Sequence, residues 1–417
     1  MEKGNNVKKA LYMLLAVLFL LSIGDGIANA LLGSAWPAIS ADIGAPISYQ
    51  SIMIPVYYAG TILGSLTAEK LMGVFSNFFP ALGRAILLLA AVLLFSFSGS
   101  FASMIALIVL IGYGIALGQV LLDGYMARHY NAAAMSWLQA SFGLGGMIAP
   151  LFLAYTIGVY GSWRMGYQVA AGAAALIAIV TLVSMPLWRV HAPILPARFA
   201  AGRKARENSP AALDGGRQRV TAKPIAELFR LPGTRLILVN MVFFTSLEVS
   251  IFFWCTSFLV EAKAFTAAAA ASYMMYFYGA QVVGRILSGA IAMRLQDSKI
   301  IRASQMLLLA CLLCFLFTPA SALPLMLVLI GLFTGPIFPN LIHEVPSIVG
   351  KEYSQGVIGL QNAAANVGNA IIPMGIGLVC GRVGFGVFPY FLLALLVCSI
   401  IFKFALDARR KRYPAVE

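Results

Sequence analysis

Apolar runs of bilayer-crossing length recur along the chain, at about 10–33, 48–72, 78–98, 101–126, 132–159, 166–188, 236–260, 267–293, 300–318, 322–345, 354–380 and 384–406. Roughly 20 apolar residues of α-helix cross the hydrocarbon of a bilayer, so the pattern predicts twelve transmembrane helices. Most polar stretches between the runs are short, which predicts that successive helices lie antiparallel as neighbours. One stretch differs. Residues 189–235 are rich in Pro, Gly and Arg and too polar to span. They separate six spans from six, predicting two bundles, 1–188 and 236–417, joined by a basic linker. Within it, PIAELFRLPG has the makings of a short surface helix.

Composition sharpens this picture. The chain is 61% hydrophobic and 11% charged, against about 25% charged in soluble proteins, so it belongs in a membrane. The net charge of +14 does not point to nucleic acid, because Lys and Arg sit in the segments between spans. With the N-terminus inside, about 25 of the 29 basic residues fall on the cytoplasmic side. About three (Arg164, Lys263, Arg382) fall opposite, and Arg285 lies within a span. That bias places both termini in the cytoplasm. The five cysteines all lie in apolar spans, and Cys311–Cys314 has no second pair or nearby His to complete a metal site. The first span lacks a signal-peptide cleavage site and reads as retained.

The halves echo each other. Asp25 in the first span and Glu248 in the seventh are about 223 residues apart. Tyr58 and Gly64 match Tyr278 and Gly284, Gly112 matches Gly331, and Gly145 and Pro150 match Gly368 and Pro373, all at offsets of about 219–223. A near-constant offset across several spans predicts two pseudo-symmetric six-helix halves in parallel relation, with a site near the midplane between them.

Polar residues within the spans mark candidates for that site. The first span carries Ser22, Asp25, Asn29 and Gly33 at spacings of three and four, hence on one face. The fourth carries Gln119 and Asp123, and the fifth Gln139. The seventh carries Asn240 and Glu248, and the eighth Tyr278, Gln281 and Arg285. The tenth carries Asn340 and His343, with Glu344 near its end, and the eleventh carries Gln361, Asn362, Asn366 and Asn369. Spans 3, 6, 9 and 12 carry almost nothing polar. The simplest arrangement sets the other eight around an aqueous cavity and these four against lipid. Asn and Gln in membrane helices often only join helices, at roughly 0.6 kcal/mol per contact. Ionisable groups at that depth are far costlier and mark function by default. A Glu248–Arg285 ion pair would lower the cost of both. The glycines before Pro150 and their counterparts Gly368 and Pro373 serve either close packing or a hinge.

Several stretches carry a family resemblance: LLGSAWPAI, LLDGYMARHYNAAAMSWLQASFGLGGMIAP, SWRMGYQ, LEVSIFFW, GRILSG, RLQDSKIIR, GPIFPNLIHEVP and SQGVIGLQNAAANVG. Together they resemble the major facilitator superfamily, and within it the fucose–proton symporter-like branch and related bacterial multidrug-efflux members. The resemblance implies twelve helices in two bundles working by alternating access. The chain departs from the branch at Asn29 and Gln119, where a carboxylate is frequent, at Asp123, where Asn is frequent, and at Gln139, where His is frequent.

These readings predict a secondary active transporter of a bacterial cytoplasmic membrane, moving a small polar solute, sugar-like by preference, by proton-coupled symport. A drug/proton antiporter is the alternative, and a non-transporting sensor on the same fold is a third class. No Walker-type loop appears and no Ser/His/Asp or metal cluster has workable spacing, so neither ATP, a cofactor nor enzymatic chemistry is expected. Asp25, Asp123 and Glu248 are the proton-coupling candidates. Asn29, Gln119, Gln139, Gln281, Arg285, Asn340, His343, Asn362 and Asn366 are candidates for binding the solute, with Tyr58, Trp254 and Tyr278 as walls. Gly145, Pro150, Gly368 and Pro373 are the gating candidates. The expected partners are a small-molecule substrate, protons and the lipid bilayer, with the chain a monomer and no nucleic acid bound.

Overall fold

A computed structural model describes residues 2–130, 132–188, 225–292 and 294–412. The first bundle comprises α1 (Glu2–Asp42), α2 (Gln50–Val74), α3 (Phe78–Ser96), α4 (Phe101–His129), α5 (Ala132–Tyr160) and α6 (Trp163–Val183). The second comprises α7 (Thr234–Glu261), α8 (Ala267–Ala292), α9 (Asp297–Phe317), α10 (Leu323–Thr334), α11 (Lys351–Val383) and α12 (Phe388–Arg412). Among the described residues, eleven spans are long and apolar enough to cross a membrane. The twelfth long helix is α8, whose hydropathy is lowered by Tyr273, Tyr276, Tyr278, Gln281 and Arg285. Most of the basic linker lies outside the described residues. Its described end forms the helix Ile225–Arg230, which tucks Leu228 against Ile237, Val345, Val357 and Leu406.

The tenth span is not one helix. α10 ends at Thr334, and the chain resumes as Ile337–His343 after Gly335 and Pro336. Pro336 has no N–H to extend the helix. The turn is held locally instead, by Thr334 Oγ1 donating to the Ile330 carbonyl and Asn340 Nδ2 donating to the Pro336 carbonyl.

Helices close in sequence are mostly not packing partners, contrary to what short connections predict. α1 lies along α5, α2 along α4, and α3 along α6; in the second bundle α7 lies along α11 and α12, and α8 along α10. The connection only joins helix ends. The long contact forms where small residues let two backbones approach.

Those approaches repeat between the halves. A Cβ on Gly64 would strike the Tyr113 carbonyl of α4, and one on Gly284 the Leu332 carbonyl of α10. A Cβ on Gly112 would strike the Tyr57 carbonyl, and one on Gly331 that of Phe277. Gly145 abuts Ile23 of α1, as Gly368 abuts Val242 of α7. Each partner stands at about the same offset as its glycine, so the internal repeat holds at the level of which residues touch.

The bundles meet through α5 along α8, α2 along α11 and α1 along α7. We call the side where α1 begins and α12 ends the terminal face, and the other the far face. Near the far face the bundles are locked together. Gly33 of α1 sits on the backbone of Phe252 in α7, Gly377 of α11 is covered by Trp254 and Ser51, and Gly381 abuts Ser48. Arg164 pairs with Asp42 there and donates to the Ser98 carbonyl, tying the ends of α1, α3 and α6. On α4, α5 and α11 toward the terminal face, Gln119, Gln139 and Asn362 are exposed.

Candidate functional site

Between the bundles, α7 and α8 build an ionic cluster. Glu248 is buried, and Oε1 accepts from Arg285 Nη2 at 3.1 Å and from Gln281 Nε2. Gln281 and Arg285 are four apart on α8, so they stand on one face and reach the same carboxylate. The expected Glu248–Arg285 pair is therefore present. Arg285 keeps 20% of its side chain exposed, and its buried Nε has no hydrogen-bond partner.

Aromatic rings cap this cluster on its far-face side. Tyr278, three residues before Gln281, stacks on Phe252 with centroids 5.2 Å apart, and Gly146 of α5 leaves room for its ring. Tyr57 of α2 meets Phe253 of α7 at 6.0 Å and Tyr58 at 5.3 Å. The layer draws on both bundles and separates Glu248 from the far face. Tyr58 interacts with Asn369, whose Oδ1 lies 3.4 Å from the Ser246 hydroxyl. The Asn362–Asn366–Asn369 stripe of α11 thus grades from exposed to half-buried to buried, descending from the terminal face toward the cluster.

Asp25 does not share this space. It is buried inside the first bundle and paired with Arg84 of α3, itself 1% exposed. Spans 3, 6, 9 and 12 are thus not free of buried polarity. Arg84 of α3, Gln305 of α9 and Lys403 of α12 are all buried. Arg84 lies within a span and is not among the cytoplasmic charges. Gly118 of α4 makes the room its guanidinium needs. In the second bundle, Gln305 donates to Ser399 at 2.9 Å and Ser399 to Asn240 at 2.7 Å. Lys403 donates to Glu344 at 2.6 Å and to Asp407 at 2.9 Å, so Glu344 is buried and paired, not hydrated at an interface.

The remaining candidates fall into three groups. Asp123 accepts from Gln139 Nε2 at 3.1 Å, joining α4 to α5 near the terminal face, with exposed Gln119 one turn before it. Asn29 accepts from the Tyr57 hydroxyl at 2.8 Å, attaching α1 to the aromatic layer. Others serve packing or the surface. Trp254 is fully buried, donating to the Pro373 carbonyl at 2.8 Å, and so clamps α7 to α11. Asn340 donates to Ser288 at 2.6 Å. His343 is exposed and meets Asp297 at 2.9 Å, apart from the cluster. Pro150 is buried within α5, where Gly145 packs against α1.

The comparison with known families agrees with this architecture. The family model of the Major Facilitator Superfamily matches residues 18–373. The chain belongs to the Major Facilitator Superfamily. It is also similar to the glucose/mannose transporter GlcP of Bacillus subtilis (strain 168), 23% identical over 355 residues, 84% of each chain. Two solved structures of transporters share the fold. One is a bacterial homolog of the human lysosomal transporter Spinster, in an inward-facing and occupied conformation. It has a TM-score of 0.69 at 12% identity, covering 96% of each chain. The other is a point mutant of the nucleoside transporter NupG, with a TM-score of 0.68 at 14% identity, covering 94% of this chain and 99% of that one. The twelve-helix, two-bundle reading thus holds.

Proposed function

We propose that this superfamily member is a proton-coupled secondary transporter of a small polar solute of the sugar class, and that the terminal face is cytoplasmic. The observation that carries the reading is the Glu248–Gln281–Arg285 cluster, buried where the bundles meet and capped by rings on the far side. A carboxylate, an amide and a guanidinium converging on one spot offer acceptors and forked donors, a set suited to adjacent hydroxyl groups. The rings give such a solute an apolar face to lie on. Asn366 and Asn362 extend the polar surface toward the terminal face, and Gln139 with Asp123 line the approach. The likeness to a glucose/mannose transporter favours the same class.

The proton is assigned to the carboxylates, Asp25 first. Glu248 is held by two partners and serves the solute, whereas Asp25 stands in its own compartment with one partner. Alternating access requires the cross-bundle contacts of the far face, Gly33 on Phe252, Gly377 on Ser51 and Gly381 on Ser48, to break for that side to open. The reading is tested in proteoliposomes with radiolabelled D-glucose and D-mannose. An inward proton gradient is expected to drive accumulation. Glu248→Gln is expected to abolish both accumulation and counterflow, and Asp25→Asn to abolish accumulation while counterflow persists. Uptake undiminished in both variants counts against the assignment.

The aromatic layer beside a carboxylate is the one observation that favours drug/proton antiport. Arg285 already neutralises that carboxylate, which weakens the attraction for a lipophilic cation. Energised dye efflux from expressing cells, absent with the empty vector, would decide for antiport.

A further inference from the structure

Asp25 opens onto a space that the solute site does not use. A small cavity of about 20 Å³ lies between α1, α3 and α6, lined by Gly24, Asp25, Ala28, Arg84, Ala173 and Ala174 among others. None of its lining residues comes from the second bundle. The wall is apolar apart from the ion pair. That pair leaves buried polar atoms over: Asp25 Oδ2, and Arg84 Nε and Nη2. One acceptor and several N–H donors without partners are expensive to bury in an apolar wall. A space of this size has room for about one water molecule, which answers both kinds of group. The charged and titratable groups around Asp25 are Arg84 from α3, Asp123 from α4 and Tyr57 from α2. The pocket wall contributed by α6 is alanine and isoleucine.

We propose that this pocket is a hydrated proton compartment: the coupling proton reaches and leaves Asp25 through water between α1, α3 and α6, not through the solute site between the bundles. The inference rests on the transport reading above for the proton's role, while the water itself is a separate claim. Separation has a mechanical use. Asp25 can exchange its proton while the solute site is occupied, and loss of the proton strengthens the Asp25–Arg84 attraction that holds α1 against α3. Solute and proton then act on the same helix, α1, the proton at Asp25 and the solute through the aromatic layer that Asn29 holds one turn on.

Two experiments test it. The first needs no solute. In a chain whose native cysteines are replaced by Ser, Ala173→Cys is expected to react with methanethiosulfonate-ethylammonium at least about tenfold faster than Leu176→Cys, which is exposed on the outside of α6. Equal slow reaction at both positions overturns the hydrated pocket, whatever the protein transports. The second fills the space. Ala174→Leu, or the smaller Ala174→Val where Leu blocks insertion, is expected to cut proton-driven accumulation of D-glucose about tenfold while leaving D-glucose counterflow within about twofold. Unchanged accumulation, or accumulation and counterflow falling together, overturns the separate route. Accumulation that survives Asp25→Asn removes Asp25 from the proton's path and takes the transport reading's proton assignment with it.

Discussion

At the scale of single residues, the strongest constraint is the Asp25–Arg84 pair. Both side chains are about 1% exposed, so each depends on the other to remain charged out of water. Removing one partner from a buried pair typically costs about 3–5 kcal/mol, whereas replacing both by apolar groups of like volume is often neutral. Arg84→Leu is therefore expected to destabilise by about that amount and to lower yield and melting temperature. Arg84→Leu combined with Asp25→Leu is expected to recover most of the loss without restoring proton-driven uptake. Melting of the purified proteins checks the first expectation. A double variant no more stable than Arg84→Leu would show that the two residues do not act as a pair. The pair also shows where reading the sequence stops. Glu248 and Arg285 were legible together because both stand deep in adjacent apolar spans. Arg84 was not, because it lies six residues into α3, close enough to the span's end to count with the cytoplasmic charges. Only the packing of α1, α3 and α4, with Gly118 opening space for the guanidinium, takes it inside. Lys403 misled for the same reason.

At the scale of helices, the glycines at repeated offsets decide partners. They were legible as a repeat, but not as the reason that α2 chooses α4 and α8 chooses α10. A glycine match reports a close approach without naming what approaches, and short connections pointed to the wrong neighbour. The break after α10 was hidden as well, since the apolar pattern runs unbroken through Gly335 and Pro336. The packing role makes a symmetric prediction. Gly112→Ala and Gly331→Ala each place a methyl against a backbone carbonyl of the neighbouring helix, which cannot yield without moving that helix. Overpacking of this kind costs about 1–3 kcal/mol, and the two losses are expected to be alike. Gly172→Ala in α6 has nothing within 4 Å of its added carbon, and is expected to be neutral or slightly stabilising, since Ala favours a helix over Gly by about 1 kcal/mol. Thermal melting in detergent measures all three. Equal effects at Gly112, Gly331 and Gly172 would mean that helix propensity, not the approach of backbones, sets the outcome.

At the scale of the whole molecule, the asymmetry between the two faces is the feature with consequences for transport. On the far face, α1 rests on α7 through Gly33, and α11 rests on Ser51 of α2 through Gly377 and on Ser48, just before α2, through Gly381. Toward the terminal face, polar groups on α4, α5 and α11 are exposed. A transporter that alternates must separate the far-face contacts in every cycle, so fixing them is expected to stop the cycle without unfolding the protein. Gly381 and Ser48 offer the place, because a Cβ at Gly381 falls beside that of Ser48. Disulfides need their Cβ atoms about 3.5–4.5 Å apart, a spacing that a small outward shift of the Ser48 segment provides. In a background without native cysteines, oxidised Ser48→Cys/Gly381→Cys is expected to cross-link and to lose counterflow, and reduction is expected to restore it. The locked form is also expected to keep its terminal face open, so that Asn362→Cys added to it reacts with a thiol reagent as fast as in the unlocked protein. Full transport by a fully cross-linked protein would mean that the far-face contact is not a gate. Slow labelling at Asn362→Cys in the locked form would mean that the path to Glu248 does not begin at the terminal face.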